Sequence, residues 1–366
     1  MKIGILVTNI GNFGAKGLYN SQEIGMAKSL NNDGHSVEIY KYLDNKVQTS
    51  VEESKIREGI NIKYIPVKSI GTHGISNLSE IETDIDYLIY FSDIQWMLSK
   101  VNKWCLKNNI ELIPYVGVIE SNSLNIKTKF IANIIAFRNI LIYKRNKNLI
   151  VKTPYVKKRL EKKGVISRVV PVGLDLDLLK TDYYMYNRSE LRKKYNISDE
   201  ERVILFIGRL DEEKNPEQAV EILNTLIKRN LKYKLVMVGD GLLKYKVLEH
   251  VKKLKIEKNF VYFNSIQNKD IWEIYRISDY FINLNKNEIF GMAILEAMFY
   301  ECKVIALEAP GPNFIIENDK SGYLVNSNEE IIDKILNSKN VQSIAHKRIV
   351  RNFIWNDIGK IIFRKL

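Results

Sequence analysis

The fold of this chain is indicated by one stretch, residues 203–229, which reads VILFIGRLDEEKNPEQAVEILNTLIKR. A run of aliphatic and aromatic residues, 203–207, is followed by a charged loop and then by a helical pattern. Asn215 and Pro216 predict a helix start, because asparagine is a preferred N-cap residue and proline is favoured at the first helical position. Five apolar residues then share one face: Ala219, Val220, Leu223, Leu226 and Ile227. The stretch therefore predicts a strand, a loop and a helix over 216–229.

The same alternation of short apolar runs and amphipathic stretches continues along the chain. Strand-like runs are residues 2–7, 36–40, 62–67, 86–91, 110–116 and 148–152, and then 203–207, 234–238, 260–263, 280–284 and 303–307. This rhythm is typical of parallel, doubly wound α/β sheets, and a tyrosine-rich, charged stretch at 180–200 interrupts it. Because 366 residues exceed one core of ordinary size, we predict two Rossmann-like domains, 1–180 and 181–350. Residues 351–366 are predicted to form a C-terminal helix that could return to the first domain.

The composition favours a cytoplasmic protein. Cys105 and Cys302 lie far apart in sequence, which indicates a reducing compartment rather than a disulfide framework. The apolar run after Met1 is too short for a signal peptide, and no run approaches the roughly 18 apolar residues that span a bilayer. We therefore expect any membrane contact to be peripheral, on the inner face of the cell membrane.

Most of the net charge of +13 comes from one segment, residues 127–168, with 13 Lys or Arg and one acid, Glu161. Within it, residues 126–145 place Phe130, Ile134, Phe137 and Leu141 at helical spacing, among Lys127, Lys129, Arg138, Lys144 and Arg145. Two interpretations remain open. A basic amphipathic helix suits an anionic membrane surface. The alternative is a domain helix whose apolar stripe lies in the core and whose cations are solvated.

Several chemically useful residues follow predicted strands, and open α/β sheets bind ligands at those carboxyl ends. Arg209 and Lys214 follow 203–207, where two cations can neutralise a diphosphate, although an ordinary solvated loop has the same composition. Gly239 ends the strand 234–238, and glycine lets a backbone approach a ligand closely.

A second candidate group follows the strand 280–284. Glu288 in the loop can accept hydrogen bonds from sugar hydroxyls. The helix opening near Phe290 and Gly291 presents backbone N–H groups that suit a phosphate. Glu296 lies among apolar residues and needs hydrogen-bond donors, which ribose hydroxyls would supply, unless it lies on the solvent face.

Read in order, these motifs resemble those of the retaining glycosyltransferases of family 4. The motifs are Gly208-Arg-Leu-x3-Lys214, Val238-Gly-Asp-Gly241, Glu288-x7-Glu296, Gly311 and Ser321-Gly-Tyr-Leu-Val325. The resemblance covers nearly the whole chain and is strongest over residues 203–325. It implies the GT-B fold, in which two Rossmann-like domains face each other across an interdomain cleft, with an acceptor-binding first domain and a nucleotide-sugar-binding second domain.

The resemblance also implies roles for individual residues. Arg209 and Lys214 would hold the donor diphosphate, Glu288 the transferred sugar, and Glu296 the ribose. Further donor contacts are implied at Gly11, Gly14, Gly239, Ile266, Phe290, Gly291 and Met292. No metal and no cofactor are expected. Many relatives carry a histidine after the strand equivalent to 110–116, but this chain has none there, and His73 is the only histidine in a glycine-flanked loop.

The implied reaction is transfer of a hexose from a nucleotide diphosphate sugar, with UDP favoured, and with retention of anomeric configuration. The expected acceptor is a glycan or a lipid-linked acceptor in synthesis of a bacterial cell-surface polysaccharide or glycolipid. One alternative is a nucleotide-sugar epimerase of the same fold. Another is a basic nucleic-acid-binding protein, given the pI of about 9.3, but no nucleic-acid-reading motif is present and we expect no nucleic-acid partner.

Overall fold

The structure is a computed structural model that describes residues 1–10, 21–120 and 126–363. The chain forms two compact units. The first consists of Met1–Asp175 and Ile354–Leu366, and the second is Leu176–Phe353. Among the described residues, no helix combines the length and apolarity needed to cross a membrane.

The first unit contains a mainly parallel sheet. Its described strands are β1 Lys2–Val7, β2 Ser36–Asp44, β3 Glu52–Arg57, β4 Ile60–Ile70, β5 His73–Ile75, β6 Tyr87–Phe91, β7 Glu111–Val116, β8 Ile150–Val151 and β9 Arg168–Val169. Its first helices are α1 Gln22–Asn32, α2 Leu98–Lys107, α3 Ile126–Tyr143 and α4 Pro154–Glu161. The strand order is β3-β4-β2-β1-β6-β7-β8-β9, and β5 pairs with β4. β3 and β5 are antiparallel to β4, and these two strands were not predicted from the sequence.

The second unit is built on an all-parallel sheet. Its strands are β10 Arg202–Ile207, β11 Tyr233–Val238, β12 Phe260–Phe263, β13 Tyr280–Asn283, β14 Lys303–Leu307 and β15 Tyr323–Val325. Its helices are α5 Arg188–Lys194, α6 Pro216–Lys228, α7 Lys244–Leu254, α8 Ile271–Ile277, α9 Met292–Phe299, α10 Pro310–Ile315, α11 Asn328–Asn337 and α12 Gln342–Asn352. Short 3-10 turns occupy Leu176–Leu178, Tyr183–Met185 and Glu257–Asn259.

Strand order in this second sheet places a crevice between two central strands. The order is β12-β11-β10-β13-β14-β15, so the chain builds outward from β10 in one direction and from β13 in the other. The loops that leave the carboxyl ends of β10 and β13 therefore diverge to opposite sides. These two loops carry the predicted site residues Arg209, Lys214 and Glu288.

The start of α6 differs in detail from the sequence prediction. Asn215 occupies the N-cap position, but its side chain makes no capping hydrogen bond, and its backbone is left-handed with φ 54° and ψ 54°. Asp211 organises the turn instead. Its carboxylate accepts from the Lys214 backbone N–H at 3.1 Å, and its carbonyl accepts from the Asn215 N–H at 3.2 Å. The helix starts where predicted, but for a different local reason.

The last helix, α13 (Trp355–Ile362), packs on α1 of the first unit. The Trp355 indole lies against Gly25, where an added Cβ would come within 2.1 Å of the ring. The backbone N–H of Trp355 donates to the Leu174 carbonyl at 3.1 Å. Trp355 is only 2% exposed, so burial of this large ring stabilises the return of the chain to the first unit.

A largely buried carboxylate holds together the amino-terminal edge of the second sheet. Asp279, just before β13, pairs with Arg188 at 3.0 Å and with Arg192 at 2.8 Å, and accepts from the Val203 N–H at 2.8 Å. Burial by itself would raise the pKa of Asp279. The adjacent Arg188, the Val203 N–H and Arg192 outweigh burial and hold that pKa below its ordinary value of 3.8.

We predict that Asp279→Asn lowers the free energy of unfolding of the second unit by about 3 kcal/mol, because two arginines lose their buried partner. A depressed pKa in the folded state adds stability above the unfolded pKa, and this stability is lost as the pH falls through the folded pKa. Urea unfolding between pH 7 and pH 3 should therefore show a weaker acid dependence in Asp279→Asn than in wild type. The exposed Asp333→Asn is the matched control, and equal losses in the two variants would contradict the assignment.

Candidate functional site

The central feature of the site is an ion pair across the crevice of the second sheet. Lys214 ends the loop after β10, and Glu288 lies in the loop after β13. The Lys214 Nζ lies 2.6 Å from the Glu288 Oε2. Both side chains are largely buried, with 23% and 14% exposed. The strand order thus brings together two residues that are 74 positions apart in sequence.

An asparagine-rich turn sets the position of Glu288. The Asn285 N–H donates to the Asn283 side chain at 3.2 Å, and the Asn287 N–H donates to the Asn285 side chain at 2.8 Å. Such local bonds stabilise turn conformations. The side-chain amides of Asn283 and Asn285 also lie 3.5 Å and 3.4 Å from the Glu288 Oε2. This support was not predicted from the sequence, although asparagine at every second position was a visible signal.

Arg209 occupies a different environment from Lys214. Its guanidinium pairs with Asp211 at 2.9 Å and with Glu213 at 3.5 Å, both in its own loop. The side chain is 53% exposed. The structure therefore joins Lys214 to Glu288, whereas Arg209 is turned towards the acids of its own loop. A role for Arg209 in holding a diphosphate stays a prediction.

Gly239 allows the loops after β10 and β11 to pack against each other. It adopts φ +152°, and an added Cβ would lie 1.8 Å from the Gly208 carbonyl oxygen. Backbone hydrogen bonds join the same loops, from the Leu210 N–H to the Asp240 carbonyl at 2.9 Å and from the Leu243 N–H to the Leu210 carbonyl at 2.8 Å. Gly239 is therefore required by contact with the neighbouring loop, and its contact with a ligand stays a prediction.

The start of α9 is shaped by two more glycines. Gly291 precedes the helix with φ +104°, a conformation that favours glycine. The Phe290 ring packs near Phe314 and Phe353, with centroid distances of 6.5 Å and 6.4 Å. Gly311 lies against the Phe290 carbonyl, which an added Cβ would approach to 2.0 Å. The first turn, beginning at Met292, presents backbone N–H groups without intrahelical partners, as every helix start does.

Glu296 is buried in α9, so the solvent-face alternative is wrong. It is 7% exposed, and its Oε2 accepts a hydrogen bond from the Tyr275 hydroxyl at 2.7 Å. Tyr275 is on α8 and is fully buried. This donor was not predicted from the sequence, because a tyrosine in an apolar helix is typical of a core residue. Binding of ribose by Glu296 stays a prediction.

Three other residues, Ile266, Gly11 and Gly14, were predicted to contact the donor, and this role stays a prediction for each. Ile266 is half-buried in the segment that follows β12. Gly11 and Gly14 lie outside the described residues. Among the residues that the structure does describe, no group of three or more His, Cys, Asp or Glu side chains is arranged to hold a metal ion.

The first unit has a polar cluster of its own at the carboxyl end of β1. The Thr8 hydroxyl lies 2.9 Å from the Tyr90 hydroxyl and 3.3 Å from the Gln95 Oε1. The His73 Nδ1 lies 3.2 Å from the same Gln95 oxygen. The β5 strand thus carries His73 to the sheet edge where ligands bind in open α/β sheets.

Asp93 lies at the same edge of the first sheet, beside the segment that lacks the histidine of many relatives. Its carboxylate accepts from the backbone N–H groups of Gly117 and of Val118, the latter at 3.0 Å. The Lys152 Nζ lies 3.2 Å from Asp93. This carboxylate was not predicted as a site residue, because its partners follow separate strands of the sheet.

Solved structures share this fold over nearly the whole chain. The structure of HepE from Anabaena in complex with UDP-glucose superposes with a TM-score of 0.74 and 18% identity, covering 99% of this chain and 98% of that one. The chain therefore has the GT-B fold, an α/β architecture with two Rossmann-like domains.

Sequence comparisons point to a family for the second unit. Residues 187–352 match the model of glycosyl transferases group 1. A segment of 173 residues is 28% identical to an alpha-monoglucosyldiacylglycerol synthase from Streptococcus pneumoniae, covering 47% of this chain and 39% of that protein.

A second curated relative is the GalNAc-alpha-(1->4)-GalNAc-alpha-(1->3)-diNAcBac-PP-undecaprenol alpha-1,4-N-acetyl-D-galactosaminyltransferase of Campylobacter jejuni. It is 28% identical over 162 residues, which cover 42% of this chain and 43% of that protein. The chain spans about two fifths of the length of each of these two curated relatives.

We predict that Gly239→Ala costs about 3 kcal/mol of unfolding free energy, because the new methyl group forces the Gly208 loop away. The matched control is Gly164→Ala, which has φ +71° but nothing within 4 Å of the added Cβ. That variant should lose only the cost of left-handed backbone, about 1–2 kcal/mol. Urea unfolding of both variants tests the prediction, which fails if the two losses are the same.

Proposed function

We propose that this protein is a glycosyltransferase that moves a hexose from a nucleotide diphosphate sugar to a glycan or lipid-linked acceptor. The observation that carries the proposal is the Lys214–Glu288 ion pair at the switch point between β10 and β13. A cation and a carboxylate lie together where open α/β sheets bind nucleotides, which supports diphosphate binding by Lys214 and sugar binding by Glu288. The group 1 family match over 187–352 covers both residues.

The identity of donor and acceptor rests on relatives. The HepE structure holds UDP-glucose, which supports a UDP-sugar as donor. The names of the two curated relatives specify a glucosyldiacylglycerol product and a PP-undecaprenol glycan. We therefore propose an acceptor with a lipid component, in synthesis of a bacterial cell-surface polysaccharide or glycolipid. The proposed location is the cytoplasm, with peripheral attachment to the inner face of the cell membrane.

The proposed chemistry is metal-independent transfer with retention. The C–O bond from the sugar to the diphosphate breaks, the acceptor oxygen bonds to the same face of the anomeric carbon, and its proton passes to the departing phosphate. Lys214 and Arg209 stabilise the negative charge that develops on this diphosphate. Glu288 accepts hydrogen bonds from the sugar hydroxyls, and Glu296 accepts from the ribose.

The ion pair also explains how the site is prepared for the donor. Lys214 and Glu288 hold each other in place before binding, so fewer side-chain rotamers are lost when the donor arrives. Acceptor binding is proposed for the first unit, where Thr8, His73 and Gln95 form a polar cluster.

We predict that UDP and its sugars raise the melting temperature in the presence of EDTA. At a ligand concentration 100 times the dissociation constant, the native state gains about 2.7 kcal/mol. Glu296→Ala should abolish the shift, whereas the exposed Glu190→Ala should leave it intact. Absence of a shift with UDP, GDP and ADP compounds would refute the donor site. A shift that EDTA removes would refute metal independence alone.

We predict that Lys214→Ala lowers the rate of sugar transfer by about 10²- to 10³-fold, because the leaving diphosphate loses a positioned cation. Lys214→Arg should restore part of the rate, and the exposed Lys252→Ala should have the wild-type rate. NMR of the anomeric proton of the product tests retention in the same assay. A Lys214→Ala rate within a few-fold of wild type would exclude this role for Lys214.

A further inference from the structure

The outer face of α3 is apolar and solvent-exposed within the part of the chain that the structure describes. Its residues recur every three or four positions and form one stripe: Ile126, Phe130, Ile134, Phe137 and Leu141, which are 83%, 66%, 55%, 67% and 48% exposed. The adjacent Ile131 is 52% exposed. The interpretation that places this stripe in the domain core is therefore wrong. A contiguous apolar patch of this kind marks an interaction surface.

The opposite face holds α3 on the first unit. Its buried residues are Ile135, Ala136, Asn139, Ile140 and Tyr143. The Asn139 side chain donates to the Gln95 carbonyl at 3.1 Å, and the Tyr143 hydroxyl lies 2.9 Å from the Ser92 hydroxyl. These contacts belong to the C-terminal half of the helix. Residues 126–134 include no buried residue. The N-terminal half of the helix is therefore exposed, while the C-terminal half is packed on the first unit.

The charges around the stripe favour an anionic partner. Residues 126–145 contain five cations and no acid: Lys127, Lys129, Arg138, Lys144 and Arg145. A second copy of the same helix would bring like charges together, which disfavours self-association. An anionic lipid surface offers the opposite charge to the cations and an apolar layer to the stripe. Three cations within the helix itself disfavour a spanning orientation.

Trp96 extends the same surface. Its ring is 48% exposed, and the Arg138 guanidinium carbon lies 5.3 Å from the ring centroid. An Arg138 Nη2 hydrogen bond to the Trp96 carbonyl, at 2.6 Å, fixes the loop to the helix. Tryptophan is favoured at the level of lipid headgroups, because it has an apolar ring and a polar N–H.

We propose that α3 and Trp96 dock on an anionic lipid bilayer, with the helix in the plane of the interface. The apolar stripe lies among the upper parts of the acyl chains, and the cations lie at the headgroups. This inference deepens the proposed function. It rests on that function only for the purpose of docking, which is to bring the enzyme to a lipid-linked acceptor. The docking surface itself rests on the exposure, spacing and charge of α3.

The test is flotation of the full chain with vesicles of phosphatidylcholine, alone or mixed with phosphatidylglycerol. We expect binding to the mixed vesicles, weaker binding to the neutral ones, and a decrease with added salt. The double variant F130S/F137S should lower the partition coefficient at least tenfold, by about the transfer of two phenyl groups. The matched control is L106S/L242S, which changes residues that are 71% and 94% exposed elsewhere.

A charge variant separates the electrostatic part of binding. K127Q/K129Q should lower binding to the mixed vesicles by about tenfold and change binding to neutral vesicles little. The matched control is K252Q/K253Q, which removes two exposed lysines from α7. All four changed lysines are exposed, so the variants should melt at the wild-type temperature.

Fluorescence reports which face meets the lipid. Trp272 and Trp355 are buried, at 7% and 2% exposed, and Trp104 is half-buried. We therefore expect mixed vesicles to shift the emission of Trp96 to shorter wavelength, and Trp96→Phe to remove the shift.

Each outcome decides between the proposals. Wild-type-like binding by F130S/F137S, or no binding to mixed vesicles, overturns the lipid surface. A dimer that F130S/F137S abolishes, without vesicle binding, assigns the stripe to a second copy and also overturns it. Vesicle binding without any nucleotide-induced thermal shift refutes the proposed function and leaves the surface standing. A nucleotide shift without vesicle binding refutes the surface alone.

Discussion

The second unit depends on one constraint, which is that every strand of a parallel sheet ends at the same edge. Because the strand order reverses between β10 and β13, the loops after these strands diverge around a crevice. Lys214 ends one loop and Glu288 lies in the other, and their ion pair at 2.6 Å joins the two sides. Asp279 anchors the opposite edge of the sheet by a similar principle, since a buried charge is stable only with partners.

Glycine makes the loops of this edge compatible with one another. Gly239 admits the Gly208 carbonyl, and Gly311 admits the Phe290 carbonyl, at distances that no side chain would permit. Gly239, which was predicted from the sequence to contact a ligand, therefore has a packing role that does not depend on a ligand. The same residue can serve both purposes, since a loop held by its neighbours is also preorganised for binding.

The first unit presents a different balance of forces on α3. One face of this helix is buried and hydrogen-bonded, and the other exposes the apolar stripe to solvent. Leaving each large apolar side chain in water costs about 1.5–3 kcal/mol relative to burial. The cations beside the stripe, with no acid in residues 126–145, identify an anionic and partly apolar partner as the one that offsets this cost.

Local patterns by themselves determined most of the strands, the start of α6 at Pro216, the family motifs and the fold class, because periodicity and turn chemistry are properties of neighbouring residues. The antiparallel β3 and β5 were missed, since pairing depends on distant partners. Tertiary structure alone decided that Glu296 meets Tyr275, that Arg209 turns to the acids of its own loop, and that the stripe of α3 faces outward. The physical reason is that a helix pattern shows which residues share a face, whereas burial depends on what packs against that face.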